Sequence, residues 1–200
     1  MNRRAVGIAA AFFSVAALGA VADTNEMYVR SLTPVYSDGS GSASIGSLMP
    51  GTPVALKSAP KPGAAHVVVM IDGWSIQGAD SVVYSAEGQR IILATLGASA
   101  IAQRKVLTHN RDAYGTVWNH VEFSAAIDPA RLIPDVSSVW AAAHTIYTAR
   151  CSACHALHAP TEFTANQWPG ILTTMVRNAA LDPNQAALVR QYLQTHARTH

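Results

Sequence analysis

The sequence predicts an α+β chain, with a segment of short strands followed by an all-α segment. Three observations carry that expectation. Glycine-containing turn pairs punctuate residues 28–127, apolar residues recur at helical spacing after residue 135, and Pro129-Ala130-Arg131-Leu132-Ile133-Pro134 separates the two patterns. The domains are therefore expected at 23–130 and 131–200, behind a leader at 1–22.

The leader comes first in the chain. Asn2-Arg3-Arg4 is a short positive stretch, residues 5–20 are apolar, and Ala20-Val21-Ala22 ends them with the small-x-small pattern that a signal peptidase accepts. Cleavage after Ala22, export to the periplasm and no stable membrane insertion afterwards are the expectation. The rival is a retained anchor helix, but the run is short for a bilayer and rich in alanine. Loss of Arg3 and Arg4 takes the formal charge from +2 to zero, and only 13% of residues are charged, so nothing suggests binding to nucleic acid. With 50% hydrophobic residues the chain is not of disordered composition.

In the first segment the expected turns are Asp38-Gly39, Gly46, Pro50-Gly51, Pro62-Gly63, Asp72-Gly73 and Glu87-Gly88. Residues 54–56, 66–71, 81–84, 90–95 and 116–123 read as strands between them. Short strands with regular turns argue for a small barrel or sandwich. Gly39-Ser40-Gly41-Ser42 is a loop tip, too short for a linker.

In the second segment Val136, Val139, Trp140, Ala143, Ile146 and Tyr147 give a helix, with Asp135 placed to cap it. A loop at 156–163 follows. Thr164 is expected to cap a helix running to about residue 178, with Pro169 in its first turn. Asp182-Pro183-Asn184-Gln185 then opens a last helix whose apolar face is Leu188, Val189, Tyr192 and Leu193.

Both cysteines lie in Cys151-Ser152-Ala153-Cys154-His155, which reads C-x-x-C-H, the attachment signature of one covalently bound haem c. Two thiols one helical turn apart can add to the vinyl groups of one porphyrin edge, and the adjoining imidazole then lies under the iron. A structural zinc site would need further thiolates or spaced histidines, and a thioredoxin-like dithiol would sit in a βαβ context rather than between helices. For the sixth ligand the favoured residue is Met175. Trp168, Leu172 and Met175 share one helical face, so Trp168 is expected to pack against the cofactor. The alternative is that this stripe is ordinary core. Met49 and Met70 read as packing, and Met27 lies close to the processed N-terminus. His158 is too near His155 to reach the far face. His66, His109, His120, His144, His196 and His200 read as surface groups, as do Arg150 and Arg177, whose other possible role is pairing with haem propionates.

The strand segment resembles a bacterial SH3-like domain through Met27-Tyr28-Val29-Arg30, Ile45-Gly46-Ser47-Leu48, Gly51-Thr52-Pro53-Val54 and Asp72-Gly73-Trp74. The whole exported chain resembles the C-terminal mono-haem portion of the pentahaem c-type cytochromes of trimethylamine N-oxide and sulfoxide reductase systems. That resemblance rests on Met27-Tyr28-Val29, on Tyr114-Gly115-Thr116-Val117-Trp118 and on Arg150-Cys151-Ser152-Ala153-Cys154-His155-Ala156-Leu157. It continues through Phe163-Thr164-Ala165-Asn166-Gln167-Trp168 and Tyr192-Leu193-Gln194. The family's tetrahaem part has no counterpart here, since this sequence holds one C-x-x-C-H. The resemblance implies an electron carrier rather than an enzyme. It would receive electrons from a membrane-anchored multihaem cytochrome and pass them to a molybdenum-containing N-oxide or S-oxide reductase.

Two other functions stand beside it. A haem enzyme with an open sixth site would need distal acid and base groups, and no convincing histidine and arginine pair is present. A binding or redox-sensing module would use the barrel to dock a periplasmic partner.

Overall fold

The computed structural model describes residues 26–37, 39 and 43–199. The leader and its cleavage point after Ala22, most of the loop tip at 39–42, and His200 lie outside the described residues. The elements run β1 (Glu26–Val29), β2 (Thr33–Tyr36), β3 (Ser44–Leu48), β4 (Pro53–Leu56), β5 (Val67–Ile76), β6 (Ala79–Ala86) and β7 (Gln89–Leu96). They continue with α1 (Ala98–Gln103), β8 (Lys105–Arg111), β9 (Val117–Ile127), β10 (Leu132–Ile133), α2 (Ser137–Cys151), α3 (Trp168–Asn178) and α4 (Pro183–Thr195).

Six strands close on themselves in the order β5-β6-β7-β3-β2-β9, with β9 returning to β5. The closure is long, running in one antiparallel register from Val67↔Ile127 to Ile76↔Trp118. The first half of β5 also carries β4, β1 and β10, and β8 is added to β9 as a free edge. The α+β expectation holds, as a six-stranded barrel with a few helices. Alternation builds the barrel interior: along β5, Val67, Val69 and Ile71 are buried while Val68 and Asp72 face out. They meet Val29, Val35, Leu48, Val83, Val121, Phe123 and Ile127 in one core. Most of these residues are β-branched, and such side chains suit a pleated, half-buried surface.

Several sequence expectations are corrected here. Asp72-Gly73 and Gly46 do not turn the chain; they lie inside β5 and β3. Gly73 is needed for close approach, because a Cβ there would sit 2.6 Å from Val83 Cγ1 and 2.7 Å from the Tyr84 carbonyl oxygen. This is where β5 leaves β4 and takes up β6 as its neighbour. Strands β1, β2, β3, β8 and β10, and helix α1, were not anticipated. In β8 every residue is exposed, so no apolar alternation marks it.

Helix α3 begins at Trp168 rather than Thr164. No side chain caps its first turn; Gln167 Oε1 instead accepts the Thr164 N–H at 2.9 Å, closing the turn that precedes the helix. Helix α2 begins at Ser137, whose hydroxyl and, secondly, N–H both donate to Asp135 and hold its carboxyl below the usual carboxylate range. The last helix keeps its expected capping box, with Asp182 accepting from Gln185 N–H at 2.9 Å and Gln185 Oε1 accepting from Asp182 N–H at 3.2 Å.

The helices dock on the barrel along one seam. Trp140 of α2 lies over Gly51, whose φ is +77° and whose added Cβ would sit 2.2 Å from the Trp140 Cη2 atom. Buried Gln191 donates through Nε2 to the Ile92 carbonyl, and buried Gln194 donates to Arg90 O at 3.2 Å and Ala165 O at 2.8 Å. Leu132–Ile133, inside the expected connecting stretch, still pairs with β1.

Gly51→Ala is expected to destabilise by about 2 kcal/mol or more, from left-handed strain plus displacement of Trp140. In denaturant melts, combining it with Trp140→Ala should recover the steric share and make the pair non-additive. Asp112, which closes the β8–β9 turn, accepts from Tyr114 N–H, Thr116 N–H and Trp118 Nε1, each at 2.9 Å. The Trp118 bond leads in holding its carboxyl below its ordinary value. Asp112→Ala should lower Tm at neutral pH. Because the folded-state value is depressed, the contribution is complete above the unfolded value of 3.8. It fades as pH falls through the lower folded value, so the gap from wild type should narrow in strong acid.

Candidate functional site

Helix α2 delivers the C-x-x-C-H motif. Its buried residues Val139, Ala143, Tyr147 and Cys151 recur every four positions, so the last buried residue of the stripe is the first thiol. Cys151 packs with Tyr147, Trp168, Leu172, Val189 and Leu193. Burial pushes its thiol up from the ordinary value. The helix then stops: Ser152 Oγ donates back to the Thr148 carbonyl at 2.6 Å, and Ser152, Ala153, Cys154 and His155 are exposed.

The chain beyond carries its own supports. Tyr147 donates its hydroxyl to the His158 carbonyl at 2.8 Å. Burial, aided by the neighbouring Cys151 and Glu162, pushes its phenol up to about 12. His158 pairs with Glu162 at 2.9 Å. His155 Nδ1 lies 2.6 Å from the Ala156 carbonyl oxygen. A carbonyl only accepts, so Nδ1 carries the hydrogen and Nε2 is left with a free lone pair for a metal.

A cleft of about 390 Å³ opens between this turn and the C-terminal half of α3. Cys151, Cys154, His155 and Met175 line it, with Arg150, Asn178 and alanines 149, 153, 179 and 180. Among the described residues, His155 is the one histidine and Met175 the one methionine on this wall. The volume suits a small-molecule or cofactor cleft. The donor set of two thiols, one imidazole with Nε2 free and one thioether fits a thioether-linked haem. No three His, Cys, Asp or Glu side chains converge as a metal cage among the described residues.

Trp168 is elsewhere. It is fully buried beneath the helices, donates Nε1 to the Pro160 carbonyl at 2.9 Å and meets Phe163 edge-on, away from the cleft lining. His144 and His158 flank a different, smaller hollow with Tyr147 and Tyr192. His120 pairs with Asp72 and stacks on Trp74 on the barrel. His66 bonds Gly39 O, His109 is exposed on β8, and His196 bonds Tyr192 O at the end of α4. Met27 packs on the barrel core, and Met70 accepts from Ser124 Oγ at 3.7 Å. Sequence reading missed the 178–180 wall. The signal available was Asp182-Pro183, which requires the preceding helix to have ended. Ala180 takes a φ of +49° at that end.

A family model described as the TorC third cytochrome c domain matches residues 21–132, and one described as dihaem cytochrome c matches residues 147–200. The cytochrome c-type protein TorY of Escherichia coli O157:H7 is 30% identical over 159 residues, covering 77% of this chain and 41% of that protein. The cytochrome c-type protein TorC of Escherichia coli K12 is 27% identical over 173 residues, covering 86% of this chain and 44% of that protein. The cytochrome c-type protein TorY of Haemophilus influenzae is 27% identical over 129 residues, 64% of this chain and 35% of that protein. The chain thus spans less than half the length of these curated relatives. No solved structure matches it.

Tyr147→Phe should cost about 1 kcal/mol, since it strips the His158 carbonyl of a part-buried donor. Denaturant unfolding of the wild type and variant checks this directly.

Proposed function

Because the chain belongs to the TorC third cytochrome c domain family, we propose that it is a periplasmic electron carrier holding a single haem c. The observation that carries this reading is the cleft in which Cys151, Cys154, His155 and Met175 meet. When bound, the haem supplies a one-electron ferric–ferrous couple. The rest of the work belongs to the polypeptide. Cys151 and Cys154 tether the macrocycle edge through sulfur. His155 presents Nε2 as proximal ligand, its ring oriented by the Ala156 carbonyl. Met175 would offer a thioether from α3 as the second ligand of the iron, and a site so filled would suit a carrier rather than a ligand-activating enzyme. The alanines of the wall give an apolar lining against which the macrocycle would lie, and Trp168 stiffens the core behind.

The reading of one haem is supported by the two cysteines of this sequence, both in one motif, although the model matching residues 147–200 is described as dihaem cytochrome c. The barrel is read as an SH3-like domain that fixes the helical part and faces partners. Residues 1–22 are read as the export leader. The partners proposed are a membrane-anchored multihaem cytochrome as donor and a molybdenum-containing N-oxide or S-oxide reductase as acceptor.

The protein made with an intact cytochrome maturation system should be red and heavier than the bare chain by one haem. Met175→His should abolish the red sulfur-to-iron charge-transfer band and lower the midpoint potential by roughly 100 mV or more, because an axial thioether raises it. Reduced protein should then be reoxidised by such a reductase when an N-oxide or S-oxide is added. A colourless product would overturn the reading, and a band unchanged in Met175→His would overturn the ligand assignment.

A further inference from the structure

Asn166 occupies an unusual place on the seam. Its Oδ1 accepts the Arg90 N–H at 2.7 Å, and its Nδ2 donates to the Gly88 carbonyl at 2.8 Å. Both partners belong to the reversal between β6 and β7, where Ala86 pairs with Gln89 and Gly88 has a φ of +76°. One side-chain amide therefore docks on the barrel as an added peptide group would, with both its donor and its acceptor used.

The short run holding Asn166 is tied from other sides as well. Gln194 donates to the Ala165 carbonyl at 2.8 Å, and the Arg198 N–H donates to the Phe163 carbonyl at 3.3 Å. Gln167 accepts the Thr164 N–H, and Trp168, the first residue of α3, is wholly buried. Helix α3 is anchored to the helical core by Trp168 and Leu172, with Ile171, Met175 and Val176 partly buried against the same cluster, and is tied to the barrel just before its first residue through Asn166. Apart from Gly170, its exposed residues are Thr173, Thr174, Arg177 and Asn178, in the half that forms the cleft wall. Met175 stands seven residues beyond Trp168, roughly 10 Å along the helix axis.

We propose that Asn166 is a positioning residue through which the barrel holds the Met175 helix against the cleft, so that the barrel braces axial ligation. This rests on the reading of Met175 as sixth ligand. The core contacts hold the helix against its neighbours, and the Asn166 bonds fix its start on the barrel, a constraint the helix carries along its axis because its backbone bonds resist bending. Without the clamp, the thioether would exchange more readily for a competing ligand.

The test uses the full-length ferric holoprotein and imidazole as the competitor, following the red charge-transfer band. Asn166→Ala should speed displacement of the thioether by roughly ten-fold, the scale expected for losing two hydrogen bonds at a part-exposed site. Asn166→Asp keeps the acceptor for Arg90 but turns an oxygen toward the Gly88 carbonyl, and should act in the same direction. Asp112→Ala, which weakens the barrel away from the seam, serves as the control and should leave displacement at the wild-type rate. Wild-type displacement rates in both Asn166 variants would overturn the proposal, as would an equal acceleration in Asp112→Ala at matched loss of Tm. Absence of the band in the wild type, or its survival in Met175→His, would instead overturn the ligand assignment on which the proposal stands.

Discussion

The buried stripe of α2 sets the position of the whole site. Tyr147 and Cys151, one turn apart, are packed with Trp168, Leu172, Val189 and Leu193, and the helix ends on the second of them. Each further residue of helix would rotate the chain by about 100°. Ending at Cys151 leaves one thiol seated against the core and turns Cys154 and His155 outward, so all three flank the same cleft. Shifting the stripe by a single position would carry Cys151 off the core and separate the donors. The chemistry of the motif is local in sequence, but its orientation is a consequence of helix packing.

Helix α4 is the wall that the two halves share. Val189 and Leu193 face the helical core, while Gln191 and Gln194 reach the backbone of β7 and the turn before α3. A purely apolar seam would permit several similar dockings. Buried amides with particular carbonyl partners permit few, because a displaced geometry would leave them unsatisfied. Trp140 over Gly51 adds a steric key, since only glycine leaves room there and takes the left-handed turn without strain.

Much of this was legible from residues alone where one local signal dominates. Asp182-Pro183-Asn184-Gln185 specified the start of α4 because capping is decided within four residues. The cysteine spacing singled out three residues that line one cleft, the strand run at 90–95 falls within β7, and the run at 66–71 overlaps β5 from Val67 on. The misses share a different cause. Gly73 and Gly46 look like turn residues, yet each is set by a strand from elsewhere in the chain pressing against it. Thr164 has the chemistry of a cap, but the chain makes a turn over the next three residues before α3 begins at Trp168, and no side chain caps it. Trp168 shares a helical face with Met175, yet its indole finds the Pro160 carbonyl and lies away from the cleft. Asn166 gave no signal, since its two partners are more than seventy residues distant.

The outermost strand, β8, presents an unpaired row of backbone groups and the exposed side chains of Val106 and Leu107. Such an edge invites stacking of one molecule upon another. The ends of the strand oppose it. Two copies meeting head to tail about Thr108 would bring Lys105 of one against Arg111 of the other, at both ends of the contact, and the irregularity between Val106 and Thr108 interrupts the ladder. Pairing of two such borders is therefore opposed by like charge at both ends and by the broken ladder.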